Sequence, residues 1–234
     1  MQSEISTSIC RTGGFDRHKK MSHIPRICKI IDSVEAVSII HKASQIVCQG
    51  GVVVCATDTG YLLGVDGLNR DAIRRVYQIK GRSFHKPIHL VVSELEMAQK
   101  LGNIDQQAEK VFRQFLPGPL TIIVKKKAVV PDLLVSGLEG VGLRIPENTI
   151  LLDLVTDAGV PITATSANRS GLATPFSIDE VLTELGDAIE YVDLILDQGE
   201  TQHAMPSTII DMTGTPPRIL REGPITAEML GDYI

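Results

Sequence analysis

The chain of 234 residues has no tryptophan, an aromatic content of only 4%, and four cysteines. Cys10, Cys28, Cys48 and Cys55 form no Cys-x-x-Cys pair, and the last two sit in apolar surroundings, so a reduced, cytoplasmic protein is the expectation. No apolar run approaches the ~18 residues needed to span a bilayer, which excludes a membrane helix. Also missing are Gly-x-Gly-x-x-Gly, the Gly-Lys-Ser/Thr of a Walker loop, and a Gly-x-Ser-x-Gly elbow. A nucleotide, if bound, must be held by cationic side chains and strand-end hydroxyls instead. His85 and His89 have metal-pair spacing, but Pro87 between them breaks the helix that such a pair needs, and no metal ligand set is assigned.

Net charge is −5, which argues against a general nucleic-acid coat and leaves room for a local basic pocket that draws in a small polyanion. With 43% hydrophobic residues, the chain can bury one substantial core. Residues 1–30 read as a disordered extension: the first twenty are polar, lack the apolar core of a secretory signal, and leave Met21 as an alternative start. A single domain is expected over 31–234.

What is present is organised around residues 57–86. The β-branched run Val52-Val53-Val54 has strand character and ends in Thr57-Asp58-Thr59-Gly60-Tyr61. A helix over 70–80 follows, capped by Asn69 or Asp71, with Ile73, Val76 and Tyr77 on one face and Gly81 as its stop. Lys80, Arg82, His85 and Lys86 then place four potential cations within seven positions.

The same signals predict helices over 33–49 (capped by Asp32 or Ser33), 106–115, 148–158 and 177–185, and a short one opened by Ser93-Glu94-Leu95-Glu96. Strands are expected at 51–56, 88–92, 120–124, 141–145, 161–165, 193–197, 208–211 and 218–220. Helices and strands intermix without a strict βαβ rhythm, which implies an α/β domain on a twisted, mixed sheet flanked by helices.

Hydroxyl-bearing turns recur at strand ends: Thr57 to Thr59, Thr163 to Ser166 with Asn168 and Ser170, Ser207-Thr208, and Thr121 after Pro-Gly-Pro. Arg82, Arg144 and Arg221 accompany them. Arginine and lysine suit phosphate and carboxylate, and in open α/β sheets ligands collect where strand-end loops converge. Arg144, inside an apolar strand, needs a partner. Either a structural salt bridge or a ligand carboxylate would supply one.

Seven pieces in order make the chain resemble the YrdC-type threonylcarbamoyl-AMP synthases. They are Thr57-Asp58-Thr59-Gly60-Tyr61; Lys80-Gly81-Arg82 with Lys86-Pro87; Pro117-Gly118-Pro119-Leu120-Thr121; Gly142-Leu143-Arg144-Ile145-Pro146; Ser166-Ala167-Asn168-Arg169-Ser170-Gly171; Pro206-Ser207-Thr208-Ile209-Ile210-Asp211; and Arg221-Glu222-Gly223. The resemblance implies a YrdC-like fold with a large electropositive cavity. It implies an enzyme that condenses L-threonine, bicarbonate or carbon dioxide, and ATP into threonylcarbamoyl-AMP and pyrophosphate, the first step toward threonylcarbamoyl-adenosine in tRNA.

Carried over by motif, Thr57, His89, Arg144 and Ser207 would hold threonine. Lys80, Gly140, Ser166, Asn168, Thr174 and Arg221 would surround ATP, with Lys80 and Arg82 acting on its phosphates as the catalytic pair. Magnesium is expected with ATP, held by phosphates and water, and no protein metal site is expected. Implied partners are the transferase proteins that pass the threonylcarbamoyl group to tRNA, and RNA at the basic cavity. The chain departs from the family pattern at Ala56, where proline is usual, and at Leu62, where glycine is usual. Leu62 either narrows the threonine pocket or is absorbed by repacking. The competing readings are a fold-sharing paralogue with another nucleotide-directed activity and a double-stranded RNA-binding protein.

Overall fold

Helix boundaries follow the capping residues. In the computed structural model, which describes residues 25–30, 33–202 and 205–234, α1 spans Ser33–Cys48 and α2 spans Arg70–Lys80. Of the two candidate caps for α2, Asn69 acts, accepting from Asp71 N and Ala72 N, and Gly81 closes the helix at φ 55°. The caps expected for α1 fall on Asp32, outside the described residues, and on the Ser33 side chain, likewise not described.

The box expected at Ser93 is not made. Helix α3 is Leu95–Leu101, so Glu94 takes the cap position without a side-chain bond, and the Ser93 hydroxyl faces Met97 sulfur at 4.0 Å. Helix α4 (Gln106–Phe115) is capped by Asp105, α5 (Thr149–Ala158) by Asn148, and α6 (Ile178–Leu185) by Ser177. The Glu180 carboxylate reaches back to Phe176 N at 2.6 Å, one residue before the position a capping box would use. A final turn, α7, covers Ala227–Leu230.

The strands are β1 (Arg26–Lys29), β2 (Val53–Thr57), β3 (Gly60–Gly64), β4 (His89–Val91), β5 (Leu120–Lys125), β6 (Gly140–Arg144), β7 (Ile162–Ser166), β8 (Leu194–Asp197), β9 (Thr208–Asp211) and β10 (Arg218–Arg221). They form one mixed sheet in the order β1-β8-β2-β3-β7-β4-β6-β5-β9-β10. Two strands depart from the sequence reading. Strand β3 pairs with β2 through a two-residue turn, Asp58-Thr59, where no strand was expected. Its Gly-Tyr-Leu-Leu-Gly sequence is a weak strand former, held by pairing with β2 on one side and β7 on the other. Strand β1 pairs in parallel with β8, so the domain reaches back to Arg26 and does not begin at residue 31.

Side-chain alternation splits the sheet into two faces. The first carries Val54, Leu63, Leu90, Leu143, Ile122 and Ile210 and is covered by α2, α3, α4, α6 and α7. The second carries Val53, Cys55, Leu194 and Leu196 at its β2–β8 end, where Ile40 and Val47 of α1 and Leu151, Leu154 and Val155 of α5 cover it. Along β7, β4, β6, β5 and β9 the same face is left open. There it becomes the floor of a cavity.

Candidate functional site

The cavity has a volume of about 370 Å3. Its floor is the open half-face: Ala164 and Ser166 of β7, His89 and Val91 of β4, Arg144 of β6, Thr121 of β5, and Ser207 with Ile209 leading into and along β9. The β2–β3 turn forms one wall through Thr57, Thr59 and Gly60, and Arg82, Lys86, Thr174 and Arg221 complete the lining. Four cationic side chains and no carboxylate line it.

Thr57 is locked by its own turn. Its hydroxyl donates to Gly60 O at 2.8 Å and accepts Thr59 N at 3.0 Å. Gly60 (φ 130°) cannot be replaced without strain: a Cβ there would come 2.7 Å from Thr174 Cγ2. Tyr61 N donates to Pro175 O at 2.9 Å, which fastens the Thr174 segment over the turn.

Arg144 is buried and takes three partners. Its Nη2 pairs with Asp58 Oδ1, Nη1 donates to Thr59 Oγ1 at 2.6 Å, and Nε donates to Gly118 O at 3.1 Å. The salt bridge named as one explanation for a strand arginine is thus present. Asp58 Oδ2 is buried without a partner, so this carboxylate serves the arginine alone. No motif assigns Asp58 a role, although a buried arginine demands a nearby acid and the hydroxyl turn holds one.

His89 packs beside Gly142, where a Cβ would lie 2.7 Å from the imidazole Cδ2. Burial, then Arg221, Arg82 and Arg144, push its pKa down to about 4, which leaves it neutral near pH 7. Ser207 Oγ lies 3.1 Å from Thr121 Oγ1 and accepts from Arg221 Nη2 at 3.2 Å, while Arg221 Nε donates to Ser207 O at 2.9 Å. Gly223 lets this segment close up: a Cβ there would fall 2.3 Å from Pro206 O, and its N–H donates to Thr208 Oγ1 at 2.9 Å.

The two expected catalytic cations have different settings. Arg82 lines the cavity, donating from Nη1 to Thr165 Oγ1 at 3.2 Å and from Nη2 to Pro87 O at 2.8 Å, and its buried Nε has no partner. Lys80 does not line it. Its ammonium is buried behind the floor and donates to Ser166 O, to Asn168 O at 2.9 Å and to Asn168 Oδ1 at 2.8 Å. Asn168 in turn donates to Leu172 O at 2.6 Å and Ala173 O at 2.7 Å, holding the segment that carries Thr174. Burial, with a smaller contribution from Arg82, pushes the Lys80 pKa down to about 7.

Thr57, Arg82, His89, Arg144, Ser166, Thr174, Ser207 and Arg221 therefore converge on one cavity, and Lys80 and Asn168 stand behind it. Gly140 is placed elsewhere. It opens β6 opposite Lys125, where a Cβ would press on Ile123 Cγ2 at 2.7 Å. The apolar lining from Val91, Ala164 and Ile209 had no sequence signal beyond strand alternation. Among the described residues, no group of three or more His, Cys, Asp or Glu could hold a metal ion, and no helix is long and apolar enough to cross a membrane.

A mixed α/β sheet whose open half-face gathers arginines and hydroxyls forms a cationic, hydroxyl-lined pocket. Residues 45–223 match the Sua5/YciO/YrdC family model, described as telomere recombination, and the chain belongs to that family. A Methanocaldococcus jannaschii protein is 36% identical over 207 residues, covering 88% of this chain and 96% of that one. The threonylcarbamoyl-AMP synthase of Pyrococcus abyssi is 36% identical over 196 residues, covering 83% of this chain and 57% of its own. Among solved structures, P. abyssi Sua5 complexed with L-threonine superposes with a TM-score of 0.84 at 33% identity, over 89% of this chain and 61% of that one. E. coli YciO superposes with a TM-score of 0.77 at 28% identity, over 90% of this chain and all of that one.

Proposed function

We propose that this protein is an L-threonylcarbamoyladenylate synthase, a nucleotidyltransferase that joins L-threonine, bicarbonate or carbon dioxide, and ATP and releases pyrophosphate. The observation that carries the reading is the convergence of Arg144, Thr57, His89 and Ser207 with Arg82 and Arg221 in one cavity without a lining carboxylate. Relatives of that name, and a structure of one with L-threonine, support it.

In this reading Arg144 meets the threonine carboxylate, and neutral His89 and the hydroxyls of Thr57 and Ser207 orient the amine and side chain. Arg82, with a free buried N–H, and Arg221 face the phosphates. The threonine amine, once neutral, adds to carbon dioxide to give a carbamate. A carbamate oxygen attacks the α-phosphorus, the bond to the β-phosphate breaks, and pyrophosphate departs against the cations. The chain contributes positioning and charge, with no covalent enzyme intermediate. Lys80 and Asn168 act through the loop they hold. The lining hydroxyls offer magnesium no carboxylate cage, so the metal would travel with the ATP phosphates.

We further infer that the protein works in the cytoplasm, supplies transferase proteins acting on tRNA, and meets RNA at the cavity rim. The test is pyrophosphate release from ATP and magnesium, with threonine and bicarbonate omitted in turn. Release that needs both establishes the synthase. The second reading, a paralogue with another nucleotide-directed activity, is favoured by the end-to-end match to YciO, and release without threonine would select it. A steep fall of RNA affinity with salt and no pyrophosphate release would select the RNA-binding reading.

A further inference from the structure

We propose that Leu62 sets the length of the amino-acid side chain that the cavity admits. This rests on the amino-acid reading above and names the residue that selects within that class.

Leu62 lies on β3 opposite Ser166, on the cavity face of the sheet. With Val91 and Ala164 it forms an apolar corner where the cavity meets the core under α1 and α5. Leu62 is the longest of the three and only 3% exposed. On the Gly64 side it has little room to withdraw. A Cβ added at Gly64 would lie 2.8 Å from Ile162 Cγ2, 3.0 Å from Val53 Cγ2 and 3.2 Å from Leu62 Cδ1, so the room above Gly64 is already shared by all three side chains.

The polar groups of the site, Thr57, His89, Arg144 and Ser207, provide partners for an amino acid's carboxylate, amine and hydroxyl. An aliphatic end directed at the apolar corner stops against Leu62. A close-packed interior does not yield to an extra methylene, and one methylene of misfit is worth ~10–200-fold in discrimination. The corner thus admits a short side chain and rejects its homologue.

The experiment compares kcat/KM for L-threonine and for 3-hydroxynorvaline, which is threonine lengthened by one methylene, in the wild type and Leu62→Ala. Binding of each amino acid without ATP is followed by calorimetry, and folding by thermal unfolding. The wild type should favour threonine by at least ~10-fold, and Leu62→Ala should bring the two within about a factor of three, mainly through KM. Leu62→Phe should act oppositely, weakening threonine more than serine. A folded Leu62→Ala with the wild-type ratio, or one that loses both substrates equally, overturns the proposal. If Leu62→Ala does not fold, Leu62→Val and Leu62→Met give the same comparison in smaller steps, and an unchanged ratio in both overturns it. A wild type that binds neither amino acid overturns the amino-acid reading itself. The two failures are thus told apart.

Discussion

Under α1 and α5, the second face of the sheet carries Val53, Cys55, Leu194 and Leu196; on β4, β6, β5 and β9 the same face carries His89, Arg144, Thr121 and Ile209, with Ser207 just before β9. The backbone is alike in both halves, and so is the alternation. What differs is the residue type at the inward positions and the presence of covering helices. In the covered half, burial of each large aliphatic side chain contributes about 1.5–3 kcal/mol. Even the Cys55 thiol there is held protonated by burial. In the open half, inward polar groups have no helix above them and satisfy one another: Arg144 with Asp58 and Thr59, Ser207 with Thr121 and Arg221. On this face, apolar packing is concentrated in one half and chemistry in the other. Leu62 stands at the seam.

The largest effect expected on this contrast comes from Arg144→Ala. Removing the arginine leaves Asp58 buried and charged without a partner, a loss of about 3–5 kcal/mol in urea unfolding. It also removes the proposed carboxylate anchor, and threonine-dependent pyrophosphate release should fall at least ~100-fold per folded molecule. Release at the wild-type rate would take Arg144 out of the site. The converse probe is Leu154→Ala, in the covered half. It should cost about 2–5 kcal/mol while turnover per folded molecule stays within a factor of two. A specific loss of turnover there would show that the halves are coupled.

How much of this contrast the sequence discloses depends on whether a signal is local. The caps at Asn69, Asn148 and Ser177 and the left-handed stop at Gly81 are local, and they appear where expected. The convergence of eight site residues was legible only because their motifs resemble a family, since the strands that carry them are scattered along the chain and meet through sheet order. Strand β3 carries little local signal because its glycines and leucines are poor strand formers; its hairpin with β2 is completed by pairing with β7, far along the chain. The setting of Lys80 has no local signal for a related reason. Composition announces a cation, but whether its ammonium faces a ligand or three carbonyl oxygens depends on where Ser166 and Asn168 pass, 86 and 88 residues away.

His89 tests the open half through pH. Its folded pKa of about 4 lies below the ordinary 6.5, so the folded protein resists protonation that the unfolded chain accepts. The unfolded state binds more protons between those values, and stability must fall as pH drops from 6.5 toward 4. The full effect is on the order of 3 kcal/mol. His89→Gln should flatten this part of the pH–stability curve relative to the wild type. If urea midpoints of the two proteins run parallel through that window, the imidazole is not shielded as the structure implies.

The smallest effect belongs to the covered half's outer surface, where His41 Nδ1 lies 3.1 Å from Asp157 Oδ2 between α1 and α5. The pair looks like a latch on the two helices that cover the core. Both side chains are substantially exposed, at 62% and 40%, so water screens the attraction and ordering two side chains opposes it. The buried Ser44 hydroxyl already donates to the same carboxylate oxygen, which keeps Asp157 partnered when the histidine is gone. His41→Ala should therefore shift stability by less than about 1 kcal/mol, with no change in amino-acid preference. A loss comparable to Leu154→Ala would mean that α1 and α5 are fastened by polar contacts at the surface, and the division of this face between a half covered by apolar packing and a half lined by polar pairs would no longer stand.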